Sequence, residues 1–485
     1  MLGIGIIVAY SIIAIAAPII APHDPVHDFY VSGDFSTPSW FKYIPGTSGV
    51  SETVNPIKDP SFRDSDSLPP SDKSEWNFTT TSTQSSNVRV EWTPDVGRPG
   101  SPGSASIAFT RTDRLKPAGV VNAYLTHTFY YPYQGPPKRF IGNITIFARG
   151  AENVPLEVRV YIANSSGFKF YLWSSSTIST TSTQWIVPTS SLDSYDSSII
   201  TRVETLTSVR GTDPAKWMFS APSYYTYGVE VFFKDEKLGP LDGESRLYID
   251  DLNLKLLGNA YGILGTDHYG RDIFSQLIYG ARISLSVGLL AAVIGVVLGL
   301  LIGLIAGYLG GIADELTMRL TDALLVLPGL PLLLVLIAVL GPSIWNLIMV
   351  IGFLGWMGFA RTVRSQTLSL KERPFVEAAK AVGAGKWHII LRHILPNVMS
   401  LVYVSLALAV PSAILSEAAL SFLGLFDPTV VSWGRMLYDA ETHEGVQKWW
   451  WLGPPGISIA LVSLSFILIG YALDEILNPK LRQRR

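Results

Sequence analysis

Three acidic residues stand within or at the ends of long apolar runs in this chain: Asp322, Glu417 and Asp474. An ionisable side chain in a membrane segment is costly, so each is a candidate for carrying a proton or an ion. A relay needs acidic and basic partners at matching depth, and no such pairs occur. All three lie near run ends, where pairing with a neighbour accounts for them. Other chemistry is thinner still. The 485 residues include no cysteine, which removes disulfides, thiolate metal sites and thiol nucleophiles. The stretch GAGKW (383–387) lacks both the spacing and the hydroxyl of a GxxxxGK[ST] phosphate loop.

What remains is EAAKAVGAGKWHIILRHILPN, Glu377 to Asn397, set between apolar runs. Glu377 to Val382 are good helix formers, with small Ala378 and Ala379 adjoining. Gly383 and Gly385 then break or bend the chain, and WHIILRHIL resumes a helical spacing before Pro396. A first-turn carboxylate, small residues and a hinge suit docking into a groove of another protein. An interfacial amphipathic helix would place the same basic residues beside lipid headgroups. The residues alone leave both readings open.

The elements that position this stretch are legible in composition. The chain is 48% hydrophobic and 16% charged, with mean hydropathy +0.30, too apolar for an ordinary soluble protein and too mixed for a purely membranous one. Its formal net charge of −2 gives no electrostatic argument for nucleic acid. Leu2–Ala21 is long enough to cross a bilayer core. A signal peptide would want a basic start, which is missing, so a retained helix is expected. Further spans are expected over Ile283–Tyr308, Ala323–Leu340, Ile344–Phe359, Val398–Leu415 and Ile457–Leu473, six in all. Between them, residues 23–259 are rich in Ser, Thr, Pro, Tyr and Trp. Runs of period two such as PLEVRVYIA (155–163) and YGVEVFF (227–233) predict an all-β sandwich, with a loose Ser/Pro-rich connector over about 30–85. Sequons at Asn77, Asn143 and Asn164 fit an external location.

Between Arg361 and Arg392 stand seven Lys/Arg against two acidic residues, and the chain ends KLRQRR. Cytoplasmic loops carry such an excess, so that loop and both termini are expected in the cytoplasm and the β region outside. In the second span Gly295, Gly299, Gly303 and Gly307 recur every four residues, a face that lets another helix backbone approach. Pro328 and Pro331 are expected to kink the third span. KWWWLGPPG (448–456) reads as an outer aromatic belt before the last.

Several motifs go beyond pattern. EAA, three residues, Gly, nine residues and a closing hydrophobic-x-Leu-Pro resemble the cytoplasmic EAA loop of ABC importer permeases, with Glu377, Ala378, Ala379, Gly383, Leu395 and Pro396 matching. His393 stands where the general pattern has Ile, and RHILPN is typical of the dipeptide/oligopeptide branch. APHDP after the first run, LGTDHYGRDIFSQLIYGARISL (264–285), DALLVLP (322–328), ALSFLGLFDPTVVSWGRML (419–437) and LDEILNPKLR (473–482) agree. Residues 2–25 and 262–485 thus resemble the C-type permease subunit of dipeptide/oligopeptide ABC transporters. The resemblance implies an α-helical integral membrane protein of six spans. It would have a first helix over 1–22, a β domain inserted over 23–259 and a permease domain over 260–485, with a coupling loop at about 361–397. It also implies the partners: a B-type permease, two ATP-binding subunits that hold ATP and magnesium, and an extracellular solute-binding protein. This chain itself would be neither enzyme nor cofactor carrier.

The long insert departs from that family. Its ending RLYIDDLNLKL resembles the last strand of jelly-roll carbohydrate-binding modules, where an acidic residue can support calcium, making Asp250 and Asp251 the candidates. FYYPYQGPP (129–137) and APSYYTYG (221–228) are sugar-stacking or core aromatics. Peptide import is the leading function and oligosaccharide import its rival. A membrane-anchored extracellular binding protein would need one anchor instead of six. A secondary transporter would show ion ligands or inverted repeats, and an exporter would not carry the importer loop.

Overall fold

The computed structural model describes the chain except for residues 46–48, 83–85, 114–115, 151–153, 179–183, 189–191, 237–243 and 478–485. The basic tail Lys480–Arg485 lies outside the described residues. Two compact units emerge, one of Met1–Phe29 with Arg271–Arg485 and one of Tyr30–Gly270.

The first helix of the chain, α1 (Leu2–Ile20), precedes the β unit and belongs to the helical one. The β unit holds two antiparallel five-stranded sheets. The strands are β1 (Asn77–Thr80), β2 (Ser86–Thr93), β3 (Ser104–Arg111), β4 (Gly119–Tyr131), β5 (Arg139–Arg149), β6 (Leu156–Ala163), β7 (Lys169–Ser174), β8 (Leu192–Asp193), β9 (Ser223–Asp235) and β10 (Ser245–Leu257). Their order is β1-β4-β9-β6-β7 in one sheet and β2-β3-β10-β5-β8 in the other. Two short helices, α2 (Ser197–Thr207) and α3 (Pro214–Met218), lie between β8 and β9. Successive strand residues point to opposite faces. So β4 sends Val121, Ala123, Leu125, Phe129 and Tyr131 inward, and β9 sends Tyr225, Tyr227, Val229, Val231 and Phe233 to the same core. Phe109 of one sheet stacks on Phe233 of the other at 5.2 Å between centroids. The alternation divides the two aromatic clusters: Tyr131 and Tyr227 are buried, while Tyr130 and Tyr224 are exposed and pair at 5.2 Å.

The stretch expected as a loose connector is bound into this unit. Ile57, Phe62, Leu68 and Trp76 are buried in the sandwich core. Residues beyond 259 also stay with it: Phe35 N donates to Asp267 O at 2.8 Å and Thr266 N to Ser36 O at 3.0 Å. Closing the loop with backbone bonds moves the unit's edges to Tyr30 and Gly270.

In the helical unit α1 packs on its own neighbours. A Cβ at Gly3 would lie 2.9 Å from Ser465 O, and Tyr10 Oη donates to Ser458 Oγ at 3.1 Å. After α1 and the β unit come α4 (Ile273–Leu309), α5 (Gly311–Val326), α6 (Gly329–Leu340), α7 (Ile344–Leu354), α8 (Trp356–Lys371), α9 (Pro374–Ala381), a helical turn α10 (Lys386–Ile389), α11 (Leu395–Phe422), α12 (Trp433–Thr442) and α13 (Trp449–Leu477). Among the described residues, five helices are long and apolar enough to cross a membrane: Leu2–Ile20, Ile273–Leu309, Ile344–Lys371, Lys386–Phe422 and Trp449–Leu477. The pair α5 and α6 qualifies only together, and it is bent by 93°. The expected kink in the third span is therefore a full break. Pro328 caps α6, while Pro331 sits in its first turn, where a missing N–H costs nothing and no second kink forms.

The four-residue glycine stripe brings α4 onto α8. A Cβ at Gly299 would lie 2.8 Å from Trp356 O, one at Gly303 2.6 Å from Ala360 O, and one at Gly307 2.7 Å from Thr367 Cβ. Gly295 faces Gly352 O and Gly355 in the same way, at 3.1 and 3.3 Å. Small residues remove the side chains that would hold two backbones apart. At the aromatic run, Trp449 is exposed as a belt residue would be, but Trp451 is fully buried. It packs over Gly445, where a Cβ would fall 2.3 Å from Trp451 Cε3.

The stripe makes a direct prediction. Gly303→Ala should lower the thermal midpoint of the purified protein, by the equivalent of about 1–3 kcal/mol of overpacking. Gly329→Ala, whose Cβ has nothing within 4 Å, should leave it unchanged. Equal midpoints would contradict the backbone contact.

Candidate functional site

The segment between α8 and α11 leaves the helical bundle and returns to it. It opens with Pro374 at the first position of α9, where the fixed φ favours a helix start. Glu377 lies in that first turn and is exposed, with Ala378 exposed and Ala379 half-buried beside it. The helix ends in a Schellman closure. Gly383 takes φ +87°, its N–H donates to Lys380 O at 2.9 Å, and Ala384 N donates to Ala379 O at 3.0 Å. Those bonds satisfy the last carbonyls of α9. A Cβ at Gly383 would meet nothing within 4 Å, so the demand for glycine is conformational, not steric.

Four apolar side chains pin the segment down. Val376, Ile389, Ile390 and Ile394 are buried in a cluster with Leu304 and Tyr308 of α4 and Val363 and Leu370 of α8; Ala379, Ala384 and Leu395 pack against it. The opposite side is left bare. Val382 is 89% exposed, Trp387 60% and Leu391 60%. A short helix thus presents Glu377, Ala378 and bulky apolar groups outward while its inner face is anchored.

The helical spacing expected over WHIILRHIL is present, with one irregularity before Pro396. Residues Lys386–Phe422 run as one long helix, with a π turn over Ile390–Ile394. Leu395 N reaches back to Ile390 O. Pro396 offers no N–H and its ring crowds the preceding turn, and the wider π spacing accommodates it. His393 is half-buried in that turn, its carbonyl accepting from Asn397 Nδ2 at 2.7 Å and its ring 5.8 Å from that of His388.

The other residues singled out by type fall elsewhere. Asp322 is exposed and pairs with Arg361, and Asp474 is exposed. Glu417 is only 2% exposed; Ser421 Oγ donates to it at 2.8 Å and Ser284 Oγ at 3.3 Å. In the β unit, Asp250 borders a register shift in β10 that runs to Asn253, and Asp251 lies within it. Both engage Arg98: its N–H donates to Asp250 Oδ2 at 3.1 Å, and its guanidinium lies 2.6 Å from Asp251 Oδ2.

Two features escaped sequence reasoning. One is the ion pair of Arg364 with Asp314, fifty positions apart. The other is a cavity of about 450 Å³ in the helical unit. Its walls are Ala291, Ala292, Gly295 and Val296 of α4, leucines of α5 and α6, Ile351, Gly355 and Met357, and Ala409, Ser412, Ala413 and Ser416 of α11. Neither has a local signature, because each joins residues far apart in the chain.

Several membrane-length helices, with one anchored amphipathic excursion, define a multi-pass membrane protein. Residues 299–483 match the family described as binding-protein-dependent transport system inner membrane component. The chain is 41% identical over 220 residues to the dipeptide transport system permease protein DppC of Bacillus subtilis (strain 168), covering 45% of this chain and 69% of that one. It is 39% identical over 252 residues to the glutathione transport system permease protein GsiD of Escherichia coli O1:K1 / APEC, covering 50% and 80%. The chain belongs to this family of ABC transporter permease subunits, whose members are not themselves enzymes.

Gly383 offers the sharpest test of the loop. Gly383→Ala forces a side chain into the left-handed region at a cost of about 1–2 kcal/mol. Gly383→Pro fixes φ near the opposite sign and removes the donor to Lys380 O. Transport by the assembled complex should fall modestly for the first and severely for the second, with membrane insertion unchanged for both. Undiminished transport by the proline variant would contradict a working role for the loop's shape.

Proposed function

We propose that this chain is the permease subunit of an ATP-driven, binding-protein-dependent importer that carries di- and oligopeptides across the cell membrane. The observation that carries the reading is the anchored loop. Its exposed face sets Glu377 beside Val382, Trp387 and Leu391, and a bare apolar patch on a rigid support is what a protein groove recognises. In this reading Glu377, Ala378, Ala379, Gly383, His393, Leu395 and Pro396 form the coupling segment seated in a partner ATPase. Closure of two ATPases on ATP and magnesium moves it.

The rest of the assembly follows from the same reading. A second, related B-type permease completes the transmembrane pair, and an external solute-binding protein delivers substrate. With α5 and α6 counted as one span, six helices cross the membrane. The termini and coupling loop lie in the cytoplasm, and the β unit lies outside. The relatives' names support peptides over oligosaccharides as cargo.

Two measurements test this. ATP hydrolysis by the purified complex with its binding protein should rise with di- and oligopeptides and not with oligosaccharides; the reverse result would move the function to sugar uptake. The chain has no cysteine, so single introduced thiols report topology. In intact cells a membrane-impermeant thiol reagent should label Tyr224→Cys, and it should label Trp387→Cys only after permeabilisation. Labelling of both, or of the second alone, would overturn the orientation.

A further inference from the structure

Helix α5 lies between two bends. At its start Gly310 and Gly311 take φ +66° and +59°, values that favour glycine, and nothing lies within 4 Å of a Cβ at Gly311. At its end the chain breaks before Pro328 and turns by 93° into α6. Between these two bends only Thr321 of its sixteen residues is buried. Ile312, Leu316 and Leu320, one turn apart in succession, are exposed. Toward its end Leu324 packs against the cluster of Trp356, Met357 and Ala360.

Two ion pairs also join α5 to α8. Arg364 of α8 grips Asp314 with both prongs of its guanidinium, Nε donating to Oδ1 and Nη2 to Oδ2, the latter at 2.6 Å. Arg361, one turn earlier on α8, donates to Asp322. The two carboxylates are eight residues apart, about 12 Å along the helix at 1.5 Å per residue, so α5 is tied at two points along its length. A two-pronged arginine–carboxylate contact fixes orientation as well as distance. Beyond Asp322, Leu324, Leu325 and Leu327 wall the cavity. At its other end α8 runs through Lys371 into the α9 loop.

We propose that the Arg364–Asp314 and Arg361–Asp322 pairs are the tether through which displacement of α8 is passed to the cavity wall. The four residues are positioning residues for transport and touch neither cargo nor nucleotide. The inference rests on the importer reading and adds the route inside this chain: loop to α8, α8 to α5 by charge, α5 to the cavity. With glycine joints at one end and a proline break at the other, α5 follows α8 as a strut instead of unfolding or bending itself.

The test needs no cargo. In the full complex, with Ser412→Cys as the sole thiol of this chain and lining the cavity, the labelling rate is measured with and without ATP. In the otherwise unaltered chain the rate should change with ATP. Arg364→Gln and Asp314→Asn should leave ATP hydrolysis running while reducing that change about tenfold, within the range of ordinary coupling between sites. Arg364→Lys, which keeps the charge and loses the fork, should fall between. The exchanged pair, Asp314→Arg with Arg364→Asp, should recover the response, which a merely misfolded chain would not. Arg361→Gln, at a half-exposed site where folding is least at risk, should give a smaller loss in the same direction. A full ATP response in both neutral variants overturns the tether, as does an assembled exchanged pair that fails to recover. An absent response in the parent chain contradicts the importer reading and takes the tether with it.

Discussion

The helical unit depends on one contact, the approach of α4 to α8 across glycine. Along Gly295, Gly299, Gly303 and Gly307 there is no room for a Cβ against the backbone between Gly352 and Thr367. In lipid no hydrophobic drive brings helices together, so close packing and its many small attractions carry the association. The contact runs from Gly295 to Gly307, the second half of the apolar part of α4. It therefore fixes α8, and whatever α8 carries, against a helix of 37 residues.

What α8 carries is the loop. The cluster of Val376, Ile389, Ile390 and Ile394 sits on residues of α4 and α8 together, so the loop is seated on the joined pair and not on either helix alone. Its outward face is left free for a partner, and the Schellman closure at Gly383 sets the direction in which that face points. If the loop is the coupling segment proposed above, a force applied to it would reach the bundle through the α4–α8 pair on which it is seated. The cavity lies on the same pair, lined by Ala291, Gly295, Gly355 and Met357.

Much of this was legible where the signal is local. Glycine at a fixed interval can serve only a helix face, and a proline after DALLVL marks a break whatever surrounds it. Period-two runs gave the strands because each alternates on a half-buried surface. Other features were hidden for identifiable reasons. The connector over residues 30–85 looks loose because its composition is Ser- and Pro-rich, yet Ile57, Phe62, Leu68 and Trp76 are spaced irregularly and each fills the sandwich core. Helix lengths were read short because apolar runs mark what lipid demands, whereas α4 starts at the cap provided by Asp272, which accepts from Phe274 N and Ser275 N. The π turn before Pro396 answers to the proline and has no hydrophobic signature. Ion pairs such as Arg364–Asp314 join positions that only the fold brings together.

On the importer reading α4 and α8 move as one body when the loop is driven. Spin labels on single cysteines near Leu309 of α4 and Lys371 of α8, in the assembled complex, measure it directly by pulsed dipolar spectroscopy with and without ATP. The distance distribution between them should stay the same in both states. A separation that shifts with nucleotide would show that the glycine contact slides, and that the loop acts through some other path.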